Sequence, residues 1–171
     1  MPYRFRRRRR RVHPAVAAAA AGLALAALTH TPATGTSTRT TAATGPAATA
    51  IAYARAQLGK PYQWGGTGPD AYDCSGLVWA AYQSAGVDIP RTSQAQWAAL
   101  PHAPPADVRP GDLVFFPGSD GTFTAPGHVA LVIGGGQMIQ AYAAGTPIEV
   151  SPLNGDGAGG IVGYARPGGA S

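Results

Sequence analysis

From Ala47 onward, the apolar positions Ile51, Ala54 and Leu58 fall on one helical stripe, and Gly59 followed by Pro61 stops it. This spacing predicts a first helix from Ala47 to Leu58. A second run with a 3.6-residue period passes through Leu77, Val78, Ala81, Tyr82 and Ala85 and ends at Gly86. Between the two lie a turn-rich stretch with two aromatics, Pro61-Tyr62-Gln63-Trp64-Gly65-Gly66, and then Asp73-Cys74-Ser75-Gly76. Cys74 therefore stands at the start of the second helix. A short third helix is expected from Ser93 to Leu100, closed by Pro101. Beyond Pro110 the texture changes to strands, at Asp112–Phe116, His128–Ile133, Gln137–Tyr142, Ile148–Ser151 and Ile161–Arg166, separated by Gly- and Pro-rich turns. Helices first and an antiparallel sheet after them read as an α+β domain, assigned to residues 47–171.

Upstream the pattern has no core-building period. Thr31 to about Pro46 is nearly all Thr, Ala, Gly, Pro and Ser, with too little apolar bulk to offset ordering entropy. Residues 34–46 are read as a flexible linker. Before it, Arg4 and Arg6 to Arg11 precede a small-residue apolar stretch from Ala15 to Leu28, the layout of a secretory signal over residues 1–33. That stretch is short of the roughly 20 residues that span a bilayer, so export is expected, with membrane contact only in transit. An uncleaved anchor and a nucleic-acid arm are the alternatives.

Charge follows the same division. The formal +5 suggests an anionic partner until its position is read, since seven of the 13 basic residues lie before Val12. From Thr34 onward six basic residues face all eight acids, a balance of about −2. The basic pI belongs to the leader, and no nucleic-acid partner is expected. The 171-residue length and 45% apolar composition allow one ordinary core.

A single Cys in an exported chain cannot form an internal disulfide, which makes Cys74 a residue to explain. A thiol attacks as thiolate, and the free N–H groups and positive dipole end of a helix N-terminus favour that anion. A small buried hydrophobe is the competing reading, and the Gly-rich turn before the helix weighs against it. Of four histidines, His13 and His30 lie in or beside the leader, and His102 sits in the Pro-rich loop Pro101-His102-Ala103-Pro104-Pro105 and is read as a surface residue. His128 opens the most apolar strand directly after Gly127, where its ring can face a groove. Two histidines and one cysteine make a poor zinc set, so no metal or other cofactor is expected.

A catalytic His needs a partner on its second nitrogen. If Gly134-Gly135-Gly136 forms a three-residue hairpin loop, Ile133 pairs with Gln137, Ala130 with Gln140, and His128 with Tyr142. Gln140 then shares a face with His128, one diagonal step away. A two-residue loop would move Gln140 to the opposite face. The alternative reading of Gln140 is an ordinary solvated strand residue.

The segments Gly59-Lys60-Pro61-Tyr62-Gln63-Trp64-Gly65-Gly66, Asp73-Cys74-Ser75-Gly76-Leu77-Val78, Pro90-Arg91-Thr92-Ser93, Gly111-Asp112-Leu113-Val114-Phe115-Phe116 and His128-Val129-Ala130-Leu131, in that order, resemble the NlpC-type cell-wall peptidase family. The resemblance covers roughly Ala47 to Arg166. It implies a circularly rearranged papain-like fold, with the nucleophile's helix packed on a small antiparallel sheet that carries the base. It also implies hydrolysis of the peptide stem of peptidoglycan, usually between D-glutamate, through its γ-carboxyl, and a diamino acid. By motif, Cys74 attacks, His128 takes its proton, and Tyr62 lies beside the nucleophile, where its hydroxyl assists the oxyanion. Asp73 and Ser75 match positions that meet substrate N-terminal to the cut, with Asp73 able to bind a free ammonium of L-alanine. Arg91 and Ser93 shape the groove. Many relatives carry His at the third catalytic position, where this chain has Gln140. A secreted, wall-associated monomer is expected, without an appended wall-binding module. The rival readings are an amidase cutting between N-acetylmuramic acid and L-alanine, a wall-binding domain without turnover, and an acyltransferase on a related fold.

Overall fold

Pro46 lies in the first turn of α1 (Gly45–Ala56), where its missing N–H costs no hydrogen bond. This placement starts the helix two residues before Ala47 and inside the expected linker. The helix also ends earlier than the apolar stripe implied, so Ile51 and Ala54 are buried while Leu58 is 39% exposed beyond the helix end. The computed structural model describes residues 42–154 and 159–168. The leader over 1–33 and the linker up to residue 41 lie outside the described residues.

The helices α2 (Cys74–Ser84) and α3 (Ser93–Ala99) follow, each with an N-cap side chain accepting from the first turn, Asp73 and Thr92 respectively. The strands are β1 (His102–Ala103), β2 (Leu113–Phe116), β3 (His128–Gly134), β4 (Gln137–Gln140), β5 (Glu149–Pro152) and β6 (Gly163–Ala165). Among the described residues they form one antiparallel sheet in the order β1-β6-β2-β3-β4-β5. The α+β reading holds. Two pieces were hidden from the pattern, β1 and a 3₁₀ turn at Pro105–Asp107, because flanking prolines mask a two-residue strand. His102 in β1 is exposed as expected, its ring stacked on Trp97 at 3.8 Å.

Alternation along the strands divides the core into two layers. Leu113, Phe115, Val129, Leu131 and Ile139 join Ile51, Leu77, Val78 and Tyr82 of the helices in one cluster. Val114, Phe116, Ala130, Val132 and Met138 form a second cluster with Tyr164. Both α1 and α2 pack on β3, so the start of α2 and the start of β3 are held by the same core.

The β3–β4 hairpin departs from the expected loop. Gly134 pairs with Gln137, which leaves only Gly135 and Gly136 in the turn, both at positive φ. The pairs Val132–Met138 and Leu131–Ile139 nevertheless keep the register expected of a three-residue loop, because a bulge at Ile133 supplies the missing residue. Ile133 does not pair with Gln137, yet Gln140 keeps the face of His128.

One ion pair fixes the far end of the central strands. Arg166, just past β6, donates from Nε to Asp112 Oδ1 at 2.7 Å and from Nη2 to Oδ2 at 2.9 Å, and Asp112 is 1% exposed. The Arg109 N–H also donates to Asp112 at 2.8 Å. Truncation of such a carboxylate strands a partly buried guanidinium. Asp112→Ala is expected to cost about 2–4 kcal/mol, read as a lower midpoint in urea unfolding at unchanged slope; an unchanged midpoint would contradict the assignment.

Candidate active site

Cys74 is the first residue of α2, and what places it there is Asp73. The Asp73 carboxylate accepts from Gly76 N–H at 2.6 Å, from Gly65 N–H at 2.9 Å and from Ser75 Oγ at 3.3 Å. Arg91 adds a two-pronged pair, Nη2 to Oδ2 at 2.7 Å and Nη1 to Oδ1 at 3.0 Å. Arg91 also donates to Ser75 Oγ at 2.9 Å and to Gly66 O at 3.3 Å. The helix start, the Gly65-Gly66 turn and the Arg91 loop are thus tied at one carboxylate. Gly76 is required here by clearance, since a Cβ would collide with the Gly66 carbonyl.

The thiol faces β3. Cys74 Sγ donates to Gly127 O at 3.8 Å, one residue before His128. Cys74, His128 and Tyr62 line one recess, together with Trp64 and Tyr142. Asp73, Ser75, Arg91 and Ser93 line an adjoining cavity of about 410 Å³ that also reaches Cys74. All eight residues singled out from the sequence except Gln140 therefore border one groove. Ser93 is buried, its hydroxyl 3.2 Å from Gln94 Oε1.

Gln140 lies behind the groove, with Oε1 2.9 Å from His128 Nε2. An amide oxygen only accepts, so Nε2 carries the proton and Nδ1 is left as the accepting nitrogen of the ring. The amide orientation is itself determined. Gln140 Nε2 donates to Ser151 Oγ at 2.9 Å, and Ser151 Oγ donates to Glu149 Oε1 at 3.1 Å. A carboxylate cannot donate, so the hydroxyl must turn its lone pairs to Gln140 and the amide must present its oxygen to His128. Ser151 and Glu149 were not identified from the sequence. The sequence marks both β4 and β5 as strands, but not the pairing and register that set Glu149 opposite Gln140 and Ser151 opposite Met138.

The sequence model of the NlpC/P60 family matches residues 59–160, the stretch that holds every one of these residues. The chain belongs to the NlpC/P60 family. Among its relatives, a Listeria monocytogenes protein named probable endopeptidase p60 is 41% identical over 117 residues, 68% of this chain and 23% of that protein. A probable endopeptidase of Corynebacterium glutamicum is 42% identical over 101 residues, 59% of this chain and 46% of its own length. The chain thus spans less than half of these relatives. An NlpC/P60 family protein from Bacillus cereus superposes with a TM-score of 0.65 at 36% identity, covering 70% of this chain and 39% of that one. The peptidoglycan hydrolase RipB of Mycobacterium tuberculosis gives 0.59 at 35% identity, covering 71% and 64%.

The electrostatics of this NlpC/P60 site differ from the expectation of a helix-stabilised thiolate. Burial, and then the Asp73 carboxylate, push the Cys74 thiol up, against the backbone N–H groups of Val129 and Ser75 and the Ser75 side chain, which pull it down. Burial also pulls the His128 imidazole down, opposed by its bond to Gln140 and the charge of Asp120. Both shifts favour the uncharged forms of the two groups. Tyr62 is pushed up by burial and by Cys74, Asp73 and Asp120, which keeps its hydroxyl protonated as a donor.

A base with a lowered pKa stays competent into mild acid. The acid limb of kcat/KM for peptide hydrolysis should therefore have its midpoint below the ordinary histidine value of about 6.5, and alkylation of Cys74 should rise through a midpoint above an ordinary thiol. A rate of iodoacetamide labelling that is flat from pH 5 to 8 would show a preformed thiolate instead. Gln140→Leu, which keeps bulk and removes the acceptor, should lower turnover about tenfold to a few hundredfold, equivalent to about 1.4–3.5 kcal/mol. Gln140→His should retain activity. Ser151→Ala should cost less than Gln140→Leu, since it frees the amide to flip without removing the oxygen.

Proposed function

We propose that this chain is an exported cysteine peptidase that hydrolyses the peptide stem of bacterial peptidoglycan at the bond between the γ-carboxyl of D-glutamate and a diamino acid. The observation that carries this reading is the shared recess of Cys74, His128 and Tyr62, with the far nitrogen of His128 held by Gln140. Family membership and the named hydrolases among its relatives support the substrate class. The fold reading that goes with it is the circularly rearranged papain-like arrangement, acting without cofactor as a monomer outside the cell.

In the first half-reaction the Cys74 proton passes to His128 Nδ1 as Sγ bonds to the scissile carbonyl carbon. Charge on the carbonyl oxygen is met by the free N–H groups at the start of α2 and by the Tyr62 hydroxyl. His128, now charged and still donating from Nε2 to Gln140, returns the proton to the departing nitrogen as the C–N bond breaks. Water then attacks the thioester, His128 takes its proton, and Cys74 is released as the thiol. The Asp73 carboxylate already accepts five donor contacts, so its role in this reading is to fix the groove wall; a substrate ammonium would have to share it with Arg91.

Purified wall fragments incubated with the protein should yield, by mass spectrometry, L-alanyl-D-glutamate termini and a free amine on the diamino acid. A free lactyl carboxyl would mark an amidase instead. Cys74→Ala and His128→Ala should each lower turnover by about 10³-fold or more with folding retained. Wild-type rates in Cys74→Ala would sink the mechanism.

A further inference from the structure

The groove contains one carboxylate that no described residue neutralises. Its other charged side chains, Asp73 and Arg91, are paired with each other. Asp120, in the loop between β2 and β3, lines both the 410 Å³ cavity and the recess of Cys74 and His128. It is exposed, and no ion pair or hydrogen bond engages its side chain among the described residues.

The loop that carries this carboxylate packs closely at its base. Gly127 N–H donates to Pro117 O at 2.8 Å across its base. Gly121 backs onto the same two residues so closely that any side chain on it would collide with the Gly127 backbone. Asp120 Oδ1 rests over Gly127, 2.5 Å from where a Cβ would sit, so only glycine there lets the carboxylate approach. Gly127 is also the residue whose carbonyl meets the Cys74 thiol. Asp120 therefore lies beside the residue whose carbonyl meets the Cys74 thiol, and its charge is felt at both Tyr62 and His128.

In the reaction proposed above, His128 protonates the departing nitrogen, so the residue on the leaving side must occupy the recess that His128 lines. Asp120 lines that same recess. We propose that Asp120 is a specificity-determining residue that pairs with a side-chain ammonium on the leaving residue, so that a stem with this amine free is preferred over one with it acylated. The inference rests on the peptidase reading and deepens it. A diamino acid uses one amine in the scissile bond and has a second to offer. Acylation of that second amine, the chemical change that cross-linking makes, removes the cation and leaves Asp120 desolvated without a partner. The preferred substrate is then the un-cross-linked stem.

Two peptides test this, L-alanyl-γ-D-glutamyl-L-lysyl-D-alanine and its Nζ-acetyl-lysine counterpart. Binding to the full chain carrying Cys74→Ala, followed by calorimetry at low salt, should favour the free amine about tenfold, and added salt should shrink that margin because Asp120 is exposed. In Cys74→Ala with Asp120→Asn the margin should vanish through weaker binding of the free-amine peptide alone. Absence of any difference between the peptides with Asp120 intact, or a preference that survives Asp120→Asn, overturns the inference. Turnover by the wild-type chain is read separately. Failure to cleave either peptide would count against the peptidase reading, while the binding comparison would still decide the role of Asp120.

Discussion

The Asp73 carboxylate is the constraint on which the groove depends. It caps the helix that begins with Cys74, receives the Gly65 turn, and is clamped by Arg91, so three segments distant in sequence share one anion. Charge-assisted bonds of this kind are stronger than neutral ones and strict in geometry. They also carry an electrostatic cost, because the same anion sits beside the sulfur and disfavours its ionised form. The arrangement gives up a more acidic thiol for a Cys74 whose position is determined on three sides.

Much of this was legible in the sequence, and the exceptions have physical causes. Cys74 and its helix followed from a 3.6-residue period broken by a Gly-rich turn, and local signals of that kind survive folding. The strands from Leu113 to Ala165 were visible in outline, but their ends shifted where turns tighten. The hairpin shows why register is harder. A turn of two glycines and a bulge at Ile133 produce the same facing of His128 and Gln140 as a three-residue loop, and no periodicity distinguishes them. Ser151 and Glu149 lay beyond reach for a related reason, since their approach to Gln140 depends on pairing across β4 and β5. Charge pairing was equally hidden. Arg91 and Asp73 are both in recognisable motifs, yet only the fold shows that each occupies the other.

The site's polarity runs in one direction. Glu149 can only accept, and from it Ser151, Gln140 and His128 each have their hydrogen assigned in turn. A glutamine at this position can therefore act with the fixed polarity of a group that has a single choice. The relay ends on β5, the last strand of the sheet, where Glu149 is exposed. The orientation of the His128 ring is thereby tied to the integrity of an edge strand that contributes no atom to the groove itself.

The upward shift of the Cys74 thiol also bears on its susceptibility to oxidation. Peroxides and disulfides react with thiolate, so a sulfur whose ionised form is disfavoured by burial and by a neighbouring anion is a poorer target for both. The same burial and neighbouring anion that disfavour ionisation of Cys74 thus also shield its sulfur from adventitious oxidation.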